Sequence, residues 1–166
     1  IAFEASSESK SINREVGLVF NKSIDSKLVY INKNGIDQLR LYPQLSSKIS
    51  FPLFKEGIDS TQSVEPMFMP ILAPYNNYTS VQTTDSSNIF EKNRSKSISE
   101  WESGPRINYG VNWLINSSSL NINTLIGQTI RRDKKKSRKD EISNIFLSNN
   151  INIGKKSYIT SNLEID

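Results

Sequence analysis

The chain has 166 residues, a formal net charge of +4 and only 36% hydrophobic residues, below the roughly 45–50% of typical soluble domains. It has neither Cys nor His. That excludes a disulfide framework and thiolate chemistry and removes the commonest general base and metal ligand, so no enzyme, metal or cofactor is expected.

Disorder is the simplest reading of so polar a chain. The recurrence of Tyr, Phe, Trp and Ile at strand-like spacing argues against it. No apolar run approaches the ~18–20 residues of a membrane helix. That excludes helical spanning only, because a barrel strand alternates its faces and leaves no such run. Ile1 opens mid-strand, so a signal peptide is not expected within this segment.

Period-two alternation predicts an all-β fold. "IAFEAS" at the start reads as a partial strand. "REVGLVFNK" and "SKLVYINKNG" then read as a hairpin turning around residues 23–25. The clearest alternation is "DQLRLYPQLSSKISFPLF", residues 37–54. One parity carries Leu39, Leu41, Pro43, Leu45, Ser47, Ile49, Phe51 and Leu53; the other carries Gln38, Arg40, Tyr42, Gln44, Ser46, Lys48 and Ser50. Globular strands run to about 5–6 residues and barrel strands to about 9–11, so the length favours a large barrel.

"VEPMFMPILAPY", residues 64–75, is extended, but Pro66, Pro70 and Pro74 remove three donors on one side. Prolines so placed predict a sheet edge, a bulge or a strand end. A long loop over about 76–103 follows. "RINYGVNWLIN" then puts Ile107, Tyr109, Val111, Trp113 and Ile115 on one face. After a short polar turn, "LNINTLIGQTIR" puts Ile122, Ile126 and Ile130 on one face and Asn121, Asn123 and Gly127 on the other. The two form a hairpin.

A charged loop, "RRDKKKSRKDE", begins the connection over about 131–144. Asp133, Asp140 and Glu141 interrupt its basic run and no aromatics interleave it. It therefore reads as a solvated loop tip rather than a nucleic-acid site; were it to take a partner, an anionic membrane surface or a phosphorylated glycolipid would fit as well as nucleic acid. "SNNINIG" and "SYITSNLEID" close the chain as a hairpin around Lys155 and Lys156. The expected architecture is an antiparallel up-and-down meander of about eight strands, with residues 1–166 a single segment of a large transmembrane β-barrel. Long loops at one end and short turns at the other are the layout of outer-membrane barrels.

"DSSNIFEKNR" followed by "EWESGPRINYG" resembles the central barrel region of the LPS-assembly outer-membrane protein family LptD. The matching positions are Asp85, Ser86, Asn88, Ile89, Phe90, Asn93 and Arg94, then Glu102, Gly104, Arg106, Asn108, Tyr109 and Gly110. "IGQTIR", with Gly127 and Gln128, is similar to the family's next strand, and residues 37–75 to its preceding pair. The chain departs from the pattern at "SKS", where the family has Phe-Ser-Gly, and at Ser99-Glu100, in place of Asp-Arg.

The resemblance implies an internal fragment of a barrel of about 26 strands that assembles lipopolysaccharide into the outer leaflet of the outer membrane. It also implies an LptE-type lipoprotein plug in the lumen and periplasmic lipopolysaccharide-bridge proteins as partners. The alternatives are a soluble all-β glycan-binding or adhesin-type module, or another porin-like barrel.

Beside that resemblance, Arg94, Glu102 and Arg106 read as an ion-pair cluster tying the long loop over or into the lumen, or as an ordinary solvated loop. Ile89 and Phe90 read as its inward anchor. Tyr109 and Trp113 fall on the outward parity, as interfacial aromatics or ordinary sheet packing. Gly110 suits a close approach or a bend. Asp85 beside Glu91 lacks the ligand-rich spacing of a Ca²⁺ loop.

Overall fold

The computed structural model describes residues 2–13, 17–33, 36–75, 85–94, 102–131, 141–154 and 157–165. Trp101, residues 132–140 of the charged loop, and Lys155 and Lys156 lie outside them.

The described residues form one antiparallel sheet without helices. Its main path holds β1 (Ala2–Asn13), β2 (Leu18–Lys33), β3 (Ile36–Ser50), β5 (Ser60–Leu72), β6 (Arg106–Ser117), β7 (Leu120–Arg131), β9 (Ile145–Ile153) and β10 (Ser157–Ile165). Two short strands lie off the path: β4 (Leu53–Glu56) pairs with β5, and β8 (Glu141–Ile142) with β7. Neighbours on the path follow each other in sequence, so the topology is up-and-down. The sheet does not close on itself; β1 and β10 are its two edges.

β3 and β4 are one strand interrupted at Pro52. Ser50 opposes Met67 and Leu53 opposes Val64 in a single register, and the Phe51 amide donates to Pro66 O (3.1 Å) between them. The short turns at 57–59 and 118–119 share the end where Gly154 N donates to Ser119 O (2.8 Å). The long connections 76–103 and 131–144 leave from the other end, where β2 ends at Lys33 and β3 begins at Ile36.

Two expectations need correction. No turn occurs at 23–25, because β2 runs unbroken through Ser23 and Asp25 and pairs with β1 and β3 along its length. The polar run is mid-strand and faces inward, where Ser23 and Asp25 are buried. Of the three readings of the prolines, the sheet edge falls for Pro66 and Pro70, since β5 lies between β3 and β6, whereas Pro74 lies just past the end of the strand. Pro66 O accepts from Phe51, so position 66, and position 70 four residues on, turn their backbone groups toward β3. The missing donors fall on that one seam. Pairing with β6 is continuous from Ser60 to Ile71. Pairing with β3 holds only at Leu45–Leu72, Ser46–Ile71, Ile49–Phe68 and Ser50–Met67.

The two faces of the sheet differ in kind. Leu39, Leu41, Leu45, Phe68, Leu72, Val111, Trp113 and Ile126 share one face and are exposed, Leu41 to 63%. This face is interrupted by Lys22 and Ser47, and by a row in which Thr124 bonds Asn149 and Asn149 bonds Ser161. The opposite face carries Ser23, Asp25, Lys27, Gln44, Ser46, Arg106, Asn108 and Thr129, all buried, beside Met67, Met69 and Ile71. A soluble sheet buries its apolar face; here the polar face is the covered one.

Candidate inner-face site

What covers the polar face is the segment Asp85–Arg94. Its start is a self-bonded turn. Asp85 Oδ1 accepts from Ser87 N (2.8 Å), Ser87 Oγ (2.6 Å) and Asn88 N (3.1 Å), while Asn88 Oδ1 accepts from Asp85 N (3.0 Å). Short polar side chains that bond their own backbone favour such turns. Glu91 N then donates to Asn88 O (2.9 Å), which presents Ile89 to the sheet.

Ile89 is 1% exposed and lies over Gly127. Gly110 and Gly127 oppose each other in β6 and β7, and their backbones approach closely: a Cβ on Gly110 would meet Ile126 O at 2.2 Å. This glycine pair is the floor on which Ile89 sits. Phe90 is half-buried beneath Lys48, whose Nζ is 5.4 Å from the ring centroid.

The segment touches both edges of the sheet. Ser86 Oγ donates to Asn162 Oδ1 on β10 (3.1 Å), and Lys92 Nζ pairs with Glu8 on β1. Between them Lys92 Nζ donates to Ser23 Oγ (2.8 Å) and lies 3.5 Å from Asp25, and Lys92 O accepts from Gln44 Nε2 (2.7 Å) and Arg106 Nη2. A segment this short reaching both edge strands makes the polar face concave.

Beyond it the chain returns in a buried ion cluster centred on Glu102, which is 1% exposed. Arg94 grips it bidentately, Nη2 to Oε1 at 2.6 Å and Nε to Oε2 at 2.9 Å. Arg106 Nη2 lies 3.1 Å from Oε2, and Arg131 Nη2 donates to Oε1. Asn93 Oδ1 accepts from Glu102 N (3.0 Å). Gly104, at φ +84°, makes the left-handed turn into β6, and its amide donates to Pro74 O (3.3 Å). Burial alone would raise the Glu102 pKa; the Arg94 hydrogen bond and the charges of Arg106, Arg94 and Arg131 outweigh it and hold the carboxyl below its usual range.

Two cavities flank the segment, with Phe90 and Lys48 lining both. One, of about 530 Å³, has Asn112, Asn123, Asn150, Thr160 and Asn162 in its lining, together with Glu65. The other, of about 420 Å³, has Lys10, Asn21, Ser23, Ser46, Lys92 and Glu8 in its lining.

The structure thus gathers Asp85, Ser86, Asn88, Phe90, Asn93, Arg94, Glu102, Gly104, Arg106, Gly110 and Gly127 on the inner side. Tyr109 and Gln128 are not among them. They face outward, where Tyr109 Oη donates to Gln128 Oε1 and Gln128 Nε2 to Ser143 O (2.8 Å). Sequence reasoning missed Lys92, Thr129 and Arg131 as partners of the segment; only the polar parity of β7 hinted at Thr129. The Glu102 carboxylate is committed to three guanidinium groups, and the arrangement holds a segment in place. In comparisons with known proteins, no family model and no curated protein matched the chain.

Proposed function

We propose that the chain is a wall segment of a large outer-membrane β-barrel, the lipopolysaccharide translocon that assembles lipopolysaccharide into the outer leaflet. The observation that carries this reading is the inverted sheet: a broad exposed apolar face outside, and a polar concave face occupied by the chain's own loop inside. An apolar outer face is what a bilayer requires of a barrel wall, and the two open edges require flanking strands to complete it. The ordered resemblance from Asp85 to Gly110 supports the translocon among barrels. By that resemblance, the partners are an LptE-type lipoprotein and the periplasmic bridge proteins. A soluble glycan-binding module would leave Leu39, Leu41, Phe68 and Trp113 uncovered in water, against the tendency of soluble sheets to bury such a face.

The test is depletion of the full-length protein in its own cell. Lipopolysaccharide should fall at the cell surface and accumulate behind the outer membrane. Unchanged surface lipopolysaccharide, with the protein found in a soluble fraction, would remove this reading.

A further inference from the structure

The larger cavity lies between the docked segment and the inner face, with Ser86, Ser87 and Phe90 on one side and side chains of β5, β6, β7, β9 and β10 on the other. Its volume of about 530 Å³ falls in the range of small-molecule sites, roughly 300–1,000 Å³. The strand register sets its polar groups out in two rows. Glu65 opposes Asn112 across β5 and β6. Two residues along, Asn123 opposes Asn150 on β9, and Asn150 opposes Thr160 on β10. Side chains opposed in this way stand about 5 Å apart, and the two rows about 7 Å apart.

These groups offer donors and acceptors together. Thr160 Oγ1 donates to Asn150 Oδ1 (3.0 Å) and Ser86 Oγ donates to Asn162 Oδ1 (3.1 Å), so both amides turn Nδ2 away as a donor. Asn112 and Asn123 each supply a donor and an acceptor, and Glu65 accepts. Phe90 is the one aromatic ring in the described lining, and Glu65 and Lys48 are its charged side chains, of opposite sign.

A hydroxyl both donates and accepts, so a polyol satisfies such a mixed set. A phosphate only accepts and would meet the Glu65 carboxylate. The floor strands β5, β6, β7 and β9 are paired on both sides, which leaves an extended peptide no backbone to add to. We propose that this cavity binds a short stretch of neutral saccharide, the amides and Glu65 taking its hydroxyl groups and Phe90 the apolar face of a sugar ring. The site stands on these groups alone: it survives loss of the translocon reading, and its own failure leaves that reading intact.

The full-length protein, purified in a sugar-free detergent, is titrated calorimetrically with two neutral probes. One is maltotriose; the other is the lipid-free, dephosphorylated oligosaccharide cleaved from lipopolysaccharide of its own cell. At least one should bind, and inorganic pyrophosphate should not displace it. Binding of the second probe alone makes the ligand a lipopolysaccharide sugar; binding of maltotriose extends it to free glycans. Asn112→Ala combined with Asn123→Ala breaks no side-chain hydrogen bond between described residues and should weaken binding about tenfold. In the unmodified protein, the bound probe should slow hydrogen exchange over residues 86–90. Failure of both neutral probes, displacement by pyrophosphate, unchanged affinity in the double variant, or unchanged exchange over 86–90 would each overturn the proposal. If the double variant does not fold, the exchange in the unmodified protein decides in its place.

Discussion

The Ile89 side chain occupies the space that a side chain on Gly127 would need: a Cβ there would come within 2.8 Å of Ile89 Cδ1. Gly127→Ala should therefore destabilise the docked segment by about 1–3 kcal/mol, the usual range for overpacking. Ile89→Val removes the offending methyl, so the double variant should recover most of the loss in urea unfolding. A neutral Gly127→Ala would mean that the segment does not rest on this floor.

Gly110 should behave differently. A Cβ there meets Ile126 O at 2.2 Å and Gly127 Cα at 2.9 Å, and backbone of a paired strand cannot step aside as a side-chain end can. Gly110→Ala should be the more damaging change, with no rescue by Ile89→Val. Equal melting temperatures for the two alanine variants would contradict this.

Glu102→Gln removes the carboxylate that Arg94, Arg106 and Arg131 share. Removing one partner of a buried pair costs about 3–5 kcal/mol. Hydrogen exchange should show the amides of residues 85–94 losing protection, while those of β6 and β7 at the short-turn end keep theirs. Unchanged protection over 85–94 would show that the cluster does not hold the segment.

The same carboxylate sets a pH dependence. Its folded pKa lies below the ordinary 4.5, so folding favours the ionised form. The stabilisation is complete above pH 4.5 and drains away as pH falls through the lowered value. Thermal melting followed from pH 7 downward should show a fall below about pH 4.5 that is shallower in Glu102→Gln. Identical profiles for the two proteins would assign the acid loss to other groups.

Much of the strand pattern was legible because one face of each strand is apolar. The alternation over 106–116 and 120–131 matches β6 and β7 nearly residue for residue. β2 misled for a physical reason. Ser23, Asp25 and Lys27 resemble a turn, yet they line the inner face, and Lys92, about seventy positions away, joins Ser23 and Asp25 there. The candidate cluster was legible in part through the spacing of Arg94, Glu102 and Arg106. Arg131 and Thr129 join it only through the β6–β7 register, and no local spacing records the fit of Ile89 over Gly127.

The β3–β5 seam offers a change in the opposite direction. Pro70 lacks the amide that would face Ser47, and pairing lapses between Ser46–Ile71 and Ile49–Phe68. Pro70→Val restores a donor and should add about 0.5–1.5 kcal/mol of local hydrogen bonding, partly offset by a freer unfolded chain. Amide protection along β3 should rise. No change would place the weakness of the seam elsewhere.

The central claim is that the apolar face meets lipid and the polar face meets the lumen. Because the chain has no cysteine, single cysteines introduced into the full-length protein report their own surroundings. At Leu41, Leu45, Phe68 and Val111 they should react with a membrane-dissolved maleimide and resist a charged, water-soluble one. At Asn112, Asn123 and Asn150, which line the larger cavity, the order should reverse. Water-soluble labelling at Leu41, Leu45, Phe68 and Val111 would contradict the account.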